Sequence, residues 1–281
     1  MSINTNAGAL NALLNLNRTG RDLEDVQMRI NTGLEVRSAK DNAAVFAIAQ
    51  NMRAEKRGLD AVKQSLDRAK SVLDVSMAAT ESIQDILIQM KEKIVAAADE
   101  GLDQSSRDAL AEDFNRLRDQ INIMTRNATF NGTNLIDGAA DPLTGRPPNL
   151  IALISTDAQN PISIPRQEIS LGGPVILMTT TDTFTDAASA QALIDNVNDS
   201  IRNVSQSLTI FGAGAKAVES QRVFIDKLSD TVETGIGNLV DADMARESAR
   251  LQALQVKQQL GTQALSIANR QPQSILTLFQ N

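Results

Sequence analysis

The chain has 281 residues, a net charge of -7 and 42% apolar content, yet it holds no Trp, Tyr, His or Cys, and seven Phe are its only aromatics. Without His or Cys the usual zinc and transition-metal ligands, thiol nucleophiles and His-based triads are excluded, as are disulfides. The acidic balance argues against binding a phosphate backbone, and a core this poor in aromatics must be built from Ala, Leu, Ile and Val, as slender helix pairs are.

Residues 1–17 carry no charged side chain. Asn stands at 4, 6, 11, 15 and 17 between Ile3, Ala7, Leu10, Leu13, Leu14 and Leu16. The first six residues, Met1 to Asn6, lack the basic start and apolar block of a cleaved secretory signal. Arg18 to Ile30 continues as helix with Leu23, Val26 and Ile30 inward, and Asn31-Thr32-Gly33 reads as its stop, with Gly33 as a left-handed cap. A connector through Ser38-Ala39-Lys40-Asp41-Asn42 follows, helix resumes by Ala43, and Gly58 marks a second break or soft joint.

From Leu59 to Ala97 a walk in alternating threes and fours meets Leu59, Val62, Leu66, Ala69, Leu73, Ser76, Thr80, Ile83, Leu87, Met90, Ile94 and Ala97, ten of twelve apolar. That repeat predicts a long left-handed coiled coil. The same walk from Ile194 gives Val197, Ile201, Val204, Leu208, Phe211, Ala215, Val218, Arg222, Ile225, Ser229 and Val232, again ten of twelve apolar. Two matched seams from opposite halves of the chain predict one rod; the plainer alternative is two unrelated amphipathic helices in a bundle. The rod seam is expected at Leu59, Val62, Leu66, Leu73 and Leu87 against Ile201, Val204, Leu208, Phe211 and Ile225.

Asp99-Glu100-Gly101 ends the first long helix, and Ser105 or Ser106 is expected to cap the next, which carries Leu110, Phe114, Leu117, Ile121 and Met124. This third helix has a ready partner in the stripe Val72, Val75, Ala79 and Ile86. Between Asn131 and Thr185 stand six of the seven prolines, at 142, 147, 148, 161, 165 and 174. Short β-prone runs (150–155, 162–164, 168–171, 175–181) separate them, which predicts a small hairpin tip with loops. Gly212 and Gly214 lie inside the returning helix, where each costs about 1 kcal/mol against Ala; close helix approach is the expectation and a hinge the alternative. Gly235 and Gly237 read as a break before a terminal helix starting at Asn238. Beyond Leu251 the only charges are Lys257 and Arg270, amid glutamines and a stripe of Leu254, Leu260, Leu265, Ile267, Ile275 and Leu278. Amide-rich, nearly uncharged helices at both ends suit burial among neighbours, because amides lack the desolvation penalty of an ion; frayed tails are the plainer reading.

The fold class read from these patterns is mainly α: a long coiled-coil helical rod built from both chain halves, with a small β-hairpin tip and paired terminal helices. Residues 1–42 and 238–281 are expected to form a discontinuous inner domain of terminal helices. Residues 43–237 are expected to form the helical rod with its insert at 131–185.

Several motifs resemble bacterial flagellin: Ser2-Ile3-Asn4-Thr5-Asn6, Asn31-Thr32-Gly33-Leu34 with Ser38-Ala39-Lys40-Asp41-Asn42-Ala43-Ala44, and Asn127-Ala128-Thr129-Phe130-Asn131-Gly132-Thr133-Asn134-Leu135. Asp241-Ala242-Asp243-Met244-Ala245 and Gln271-Pro272-Gln273-Ser274-Ile275-Leu276 complete the likeness. The resemblance implies a secreted filament subunit without catalysis or cofactor, exported by the flagellar type III route and polymerising with copies of itself, and with sibling flagellins, beneath a cap. An export chaperone, the export apparatus, and cap and hook-junction proteins are the implied partners, with no nucleic acid and no membrane. Inner contacts between subunits are expected at Ile3, Leu10, Leu13, Leu251, Leu254, Leu265, Ile275 and Leu278, and candidate glycan acceptors at Thr179, Thr180, Thr181 and Thr183. The short insert implies a thin, smooth filament. The receptor-read Arg-x-Arg-Glu-Leu motif of many members corresponds here to Gln89-Met90-Lys91-Glu92-Lys93, with both arginines and the leucine changed. The alternatives are a hook–filament junction protein of the same family and, from another class, a cytoplasmic coiled-coil scaffold, whose ends would be heavily charged.

Overall fold

The computed structural model describes the backbone of residues 6–138 and 149–279 and the side chains of 6–138 and 149–270. Its elements, in chain order, are α1 (Ala7–Thr32), α2 (Ala43–Ala97), α3 (Gln104–Asn127), β1 (Leu150–Ala152), β2 (Ile162–Ile164), α4 (Ala187–Val240) and α5 (Met244–Phe279). The fold is mainly α, with a single two-stranded sheet among the described residues. The chain groups into two compact units, Met1–Lys56 with Thr231–Asn281, and Arg57–Asp230. Ile3 and the prolines at 142, 147 and 148 lie outside the described residues, as do the side chains of Ile275 and Leu278.

In the first unit α1 and α5 pack side by side. Asn6 serves two purposes at the start of α1. Its side-chain oxygen accepts from Ala9 N at 3.1 Å, supplying one of the first-turn amides that have no helical partner, and its Nδ2 donates to Ala268 O on α5 at 2.7 Å. Gly33 closes α1 in the left-handed conformation (φ 71°) and donates to Arg29 O at 2.8 Å, as its sequence predicts. The two connectors of this unit then pair. Glu35 N and Val36 N donate to Val240 O at 2.7 and 3.3 Å, and Ala242 N donates to Gly33 O at 2.8 Å. Beneath that pairing Val36, Ala49 and Val240 form a small core flanked by Leu34, Val45, Phe46 and Ile236.

In the second unit α2 and α4 run antiparallel. Lys63 meets Asp226, Lys70 meets Glu219 and Gln84 meets Ser205, so one residue number falls as the other rises. All twelve seam residues of α2 are buried, whereas on this part of α4 the buried column is Val197, Val204, Phe211, Val218 and Ile225 at seven-residue spacing. Ile201 and Leu208 fall in the half-buried class. Each fully buried Leu or Ile contributes about 1.5–3 kcal/mol. Phe114 and Ile121 of α3 are fully buried, as are Ile83, Leu87, Met90 and Ile94 of α2, and Phe114 meets Phe184 with ring centres 5.5 Å apart. The strands pair as Leu150 with Ile164 and Ala152 with Ile162.

Four local expectations are corrected. Helix α2 passes through Gly58 without a break; a Cβ there would lie 2.7 Å from Thr156 Cγ2, so this glycine admits a loop rather than a joint. Helix α4 likewise runs through Gly235 and Gly237 to Val240, and α5 begins at Met244 rather than Asn238. The cap of α3 is Asp103, not Ser105 or Ser106: its carboxylate accepts from Ser106 N at 2.9 Å and Ser106 Oγ at 2.6 Å. Residues 168–171 and 175–181 form no strand, only an isolated bridge between Leu171 and Ile176, because side-chain bonds such as Leu177 N to Ser200 Oγ at 3.0 Å satisfy the backbone instead.

Candidate functional site

No group of three or more Asp, Glu, His or Cys suited to a metal occurs among the described residues, and no described helix is long and apolar enough to cross a membrane. Apolar surface is left unpaired on both terminal helices, though Ile123, Ile151 and Phe224 of the second unit are also more than half exposed. On α1, Leu10, Leu13 and Leu14 are 52%, 42% and 65% exposed, and on α5, Leu260 and Ile267 are 64% and 63% exposed. Val26 is the one buried residue of α1, and Leu254 is buried on α5. The paired helices therefore hide little of their own stripe. Of the expected interface residues, Leu251 and Leu265 are half-buried. Leu265 also helps line an open depression with Thr262, Ser266, Asn269 and Arg270.

Polar clasps hold this surface in place. Arg29 Nη1 on α1 reaches Glu247 Oε1 on α5 at 3.4 Å, and the Glu247 side chain is nearly buried. In the connector, Asp41 accepts from Arg37 N and Ser38 N, both at 3.0 Å, and from the Arg37 guanidinium at 3.2 Å. Partial burial opposes ionisation of Asp41, but these donors outweigh it and hold the carboxyl below its usual range. Sequence reading named this stretch as a motif without seeing that Asp41 organises it by accepting from N–H groups three and four residues before it.

The second unit carries a charged ladder beside its apolar seam. Lys63 Nζ lies 2.5 Å from Asp226 Oδ1, Arg222 Nε 2.5 Å from Asp67 Oδ1, and Lys70 Nζ 2.6 Å from Glu219 Oε2. The Lys63 ammonium bond depresses the Asp226 pKa, the Lys70 bond depresses that of Glu219, and both lysines are raised in return by the same bonds. Arg222, an irregular member of the predicted apolar walk, is thus explained: it lies at the rim and pairs outward. Arg107 was missed altogether. It is buried, and its guanidinium donates to the carbonyls of Ala97 (3.0 Å), Asp99 (2.9 Å) and Leu102 (3.2 Å), closing the end of α2. Nothing in the local periodicity marks it.

Gly214 does permit a close approach, but to a strand: a Cβ there would lie 3.0 Å from Ile164 Cδ1, while Gly212 faces open space. Thr179, Thr180, Thr181 and Thr183 are all exposed. Thr179 Oγ1 is engaged with Asp182 Oδ1 at 2.7 Å and sits 3.1 Å from Thr181 Oγ1.

Residues 3–141 match the model of the bacterial flagellin N-terminal helical region, and residues 194–279 that of the bacterial flagellin C-terminal helical region. Flagellin FljK of Caulobacter vibrioides is 46% identical over 279 residues, covering 99% of this chain and 98% of that protein. A flagellin of Brucella melitensis is 34% identical over 286 residues, covering 99% of each. Among solved structures, a putative flagellar hook-associated protein from Vibrio parahaemolyticus shares the fold with a TM-score of 0.58 at 14% identity, covering 72% of this chain and all of that one.

Proposed function

Since this chain belongs to the bacterial flagellin family, and so is a structural subunit of the extracellular flagellar filament rather than an enzyme, we propose that its polymerisation runs through the unpaired apolar faces of α1 and α5. The observation that carries this is the exposure of Leu10, Leu13, Leu14, Leu260 and Ile267 on two helices already packed together. A helix pair that cannot hide its own stripe gains most from neighbours, and mass action then couples its final ordering to assembly. Leu251 and Leu265, with Ile3, Ile275 and Leu278, complete the proposed inner contacts, whereas Leu254, expected among them, is already buried within the subunit. Residues 1–42 and 238–281 form the inner layer in this reading, and 43–237 the surrounding one. In that layer Leu59, Val62, Leu66, Leu73 and Leu87 pack on Ile201, Val204, Leu208, Phe211 and Ile225 within each subunit. Delivery by the type III export apparatus with its chaperone, and seating against cap and hook-junction proteins, complete the proposal.

A chain ending at Gly261 tests it. That truncation is expected to stay soluble and helical and to form no filaments when seeded; filaments under electron microscopy would refute the assignment. Elongation of the full chain on seeds far beyond one helical turn separates a filament subunit from a junction protein. For glycans, the geometry favours Thr180 and Thr183 over the hydrogen-bonded Thr179 and Thr181, and peptide mass mapping of the exported protein reads this directly.

A further inference from the structure

We infer that Asn131 is a self-modifying position, a deamidation site written into the turn that holds it. Asn131-Gly132 is the only Asn-Gly pair in the sequence. It occupies the apex of a tight turn in which Phe130 N donates to Thr133 O and Thr133 N to Phe130 O, both at 2.9 Å. Both central residues have positive φ, 49° and 79°, the conformation that selects Asn-Gly in hairpin-type turns. Both are exposed.

The turn thus demands the residue pair with the least protected backbone nitrogen. Gly132 has no side chain to shield its amide, and the space where a Cβ would sit is empty to 4 Å. Among the described residues neither the Gly132 N–H nor the Asn131 carboxamide has a hydrogen-bond partner. Asn134, three residues on, shows the contrast. Its carboxamide donates to Thr125 O at 2.8 Å and accepts from Ile136 N at 2.9 Å and Asp137 N at 3.0 Å, so it is held and its reactive carbon is not free to turn.

The reaction needs only base and water. When the turn opens and Asn131 rotates about its Cα–C bond to bring Cγ onto Gly132 N, the deprotonated Gly132 N attacks Cγ, forming the N–Cγ bond. The Cγ–Nδ2 bond breaks and ammonia leaves, giving a five-membered succinimide. Water then opens that ring at either carbonyl, producing aspartate or isoaspartate. Either product adds one negative charge to the turn. The isoaspartate form also lengthens the backbone by one carbon, which is incompatible with keeping both Phe130–Thr133 bonds in their present register.

The test is a time course of the purified full-length chain at mildly alkaline pH, followed by intact mass and by peptide mapping with an isoaspartate-specific label. The expected result is an amide-to-acid mass gain located at residue 131, with isoaspartate present, proceeding ahead of every other Asn in the chain. Gly132→Ala should slow it by roughly tenfold or more, because a methyl group shields the attacking nitrogen. That substitution is strained at positive φ, so Asn131→Asp serves as a second variant: Asp tolerates the left-handed region, the turn persists, and no mass gain should appear. The inference is overturned if residue 131 keeps its amide over the period in which a free peptide of residues 127–135 converts. It is equally overturned if Asn131→Asp gains mass at the wild-type rate.

Discussion

Replacing Arg107 by Ala should be among the most damaging single changes in the second unit, although the residue lies in no apolar seam. The side chain is 7% exposed and its guanidinium serves the carbonyls of Ala97, Asp99 and Leu102 together. Each hydrogen bond to a charged group contributes about 1.5–3 kcal/mol net, but the three are not lost equally. Asp99 is exposed and Leu102 half-exposed, so water can replace the guanidinium there. Ala97 is fully buried, and its carbonyl stays unpaired while the arginine stem also leaves a gap. The expected loss is about 3 kcal/mol, dominated by the buried carbonyl and the stem. With a urea dependence of about 2 kcal/mol per molar, the unfolding midpoint falls by about 1.5 M. Far-UV circular dichroism of the full chain in urea measures it. Arg107→Lys should recover less than half, since one ammonium cannot serve three divergent acceptors. A midpoint unchanged by Arg107→Ala at constant slope would refute this account of how α2 ends.

The charged ladder predicts a two-sided pH response. Asp226 and Glu219 are depressed by their lysines, so their contribution is present above the ordinary carboxylate range and lost as pH falls through their lowered values. Lys63 and Lys70 are raised, so theirs is present at neutral pH and lost as pH rises through their raised values. Urea midpoints across pH should sag on both flanks, less so in high salt, and a salt-independent profile would contradict the ladder. Gly212→Ala should stabilise by up to about 1 kcal/mol, whereas Gly214→Val should destabilise by about 1–3 kcal/mol through collision with Ile164; thermal melts rank the two. Leu10→Asn with Leu13→Asn should leave the monomer's melting temperature within a few degrees while sharply slowing elongation on seeds, and normal growth would remove these leucines from the proposed contact.

Period was legible throughout, punctuation only in part: the stop at Gly33 and the bounds of α2 at Ala43 and Ala97 match the sequence reading, and the breaks at later glycines do not. The three–four walk from Leu59 to Ala97 names only buried positions, because α2 is covered along its whole seam. The matching walk on α4 overstates burial: its alternate members, such as Ile201 and Leu208, stop at the half-buried rim, and periodicity alone does not distinguish a helix covered on two sides from one covered on one. Glycines were misread as stops at 58, 235 and 237 because a helix of this length absorbs about 1 kcal/mol at each when packing favours continuity. At Gly33, by contrast, the chain does turn left-handed. Caps and clasps such as Asp103, Asp41 and Arg107 depend on contacts across a turn, which a stripe of apolar residues does not report. In the candidate assembly surface the leucines were visible as a stripe, but which of them face outward depends on how α1 lies against α5.

The ladder has a further consequence for how the chain threads itself. Lys56, Lys63 and Lys70 recur every seven residues, as do their partners Glu233, Asp226 and Glu219. A ruler with even marks can be read one mark off: moved by one heptad, about 10 Å, Lys70 would find Asp226 and Asp74 would take Arg222. The aperiodic notch is a short piece of loop, where Leu153 N donates to Ser65 Oγ on α2 at 3.2 Å and Ile154 O accepts from Gln221 on α4 at 3.4 Å. These bonds join the pairing of Gln84 with Ser205 and the fit of Thr156 over Gly58 as the contacts that tell one tooth from the next.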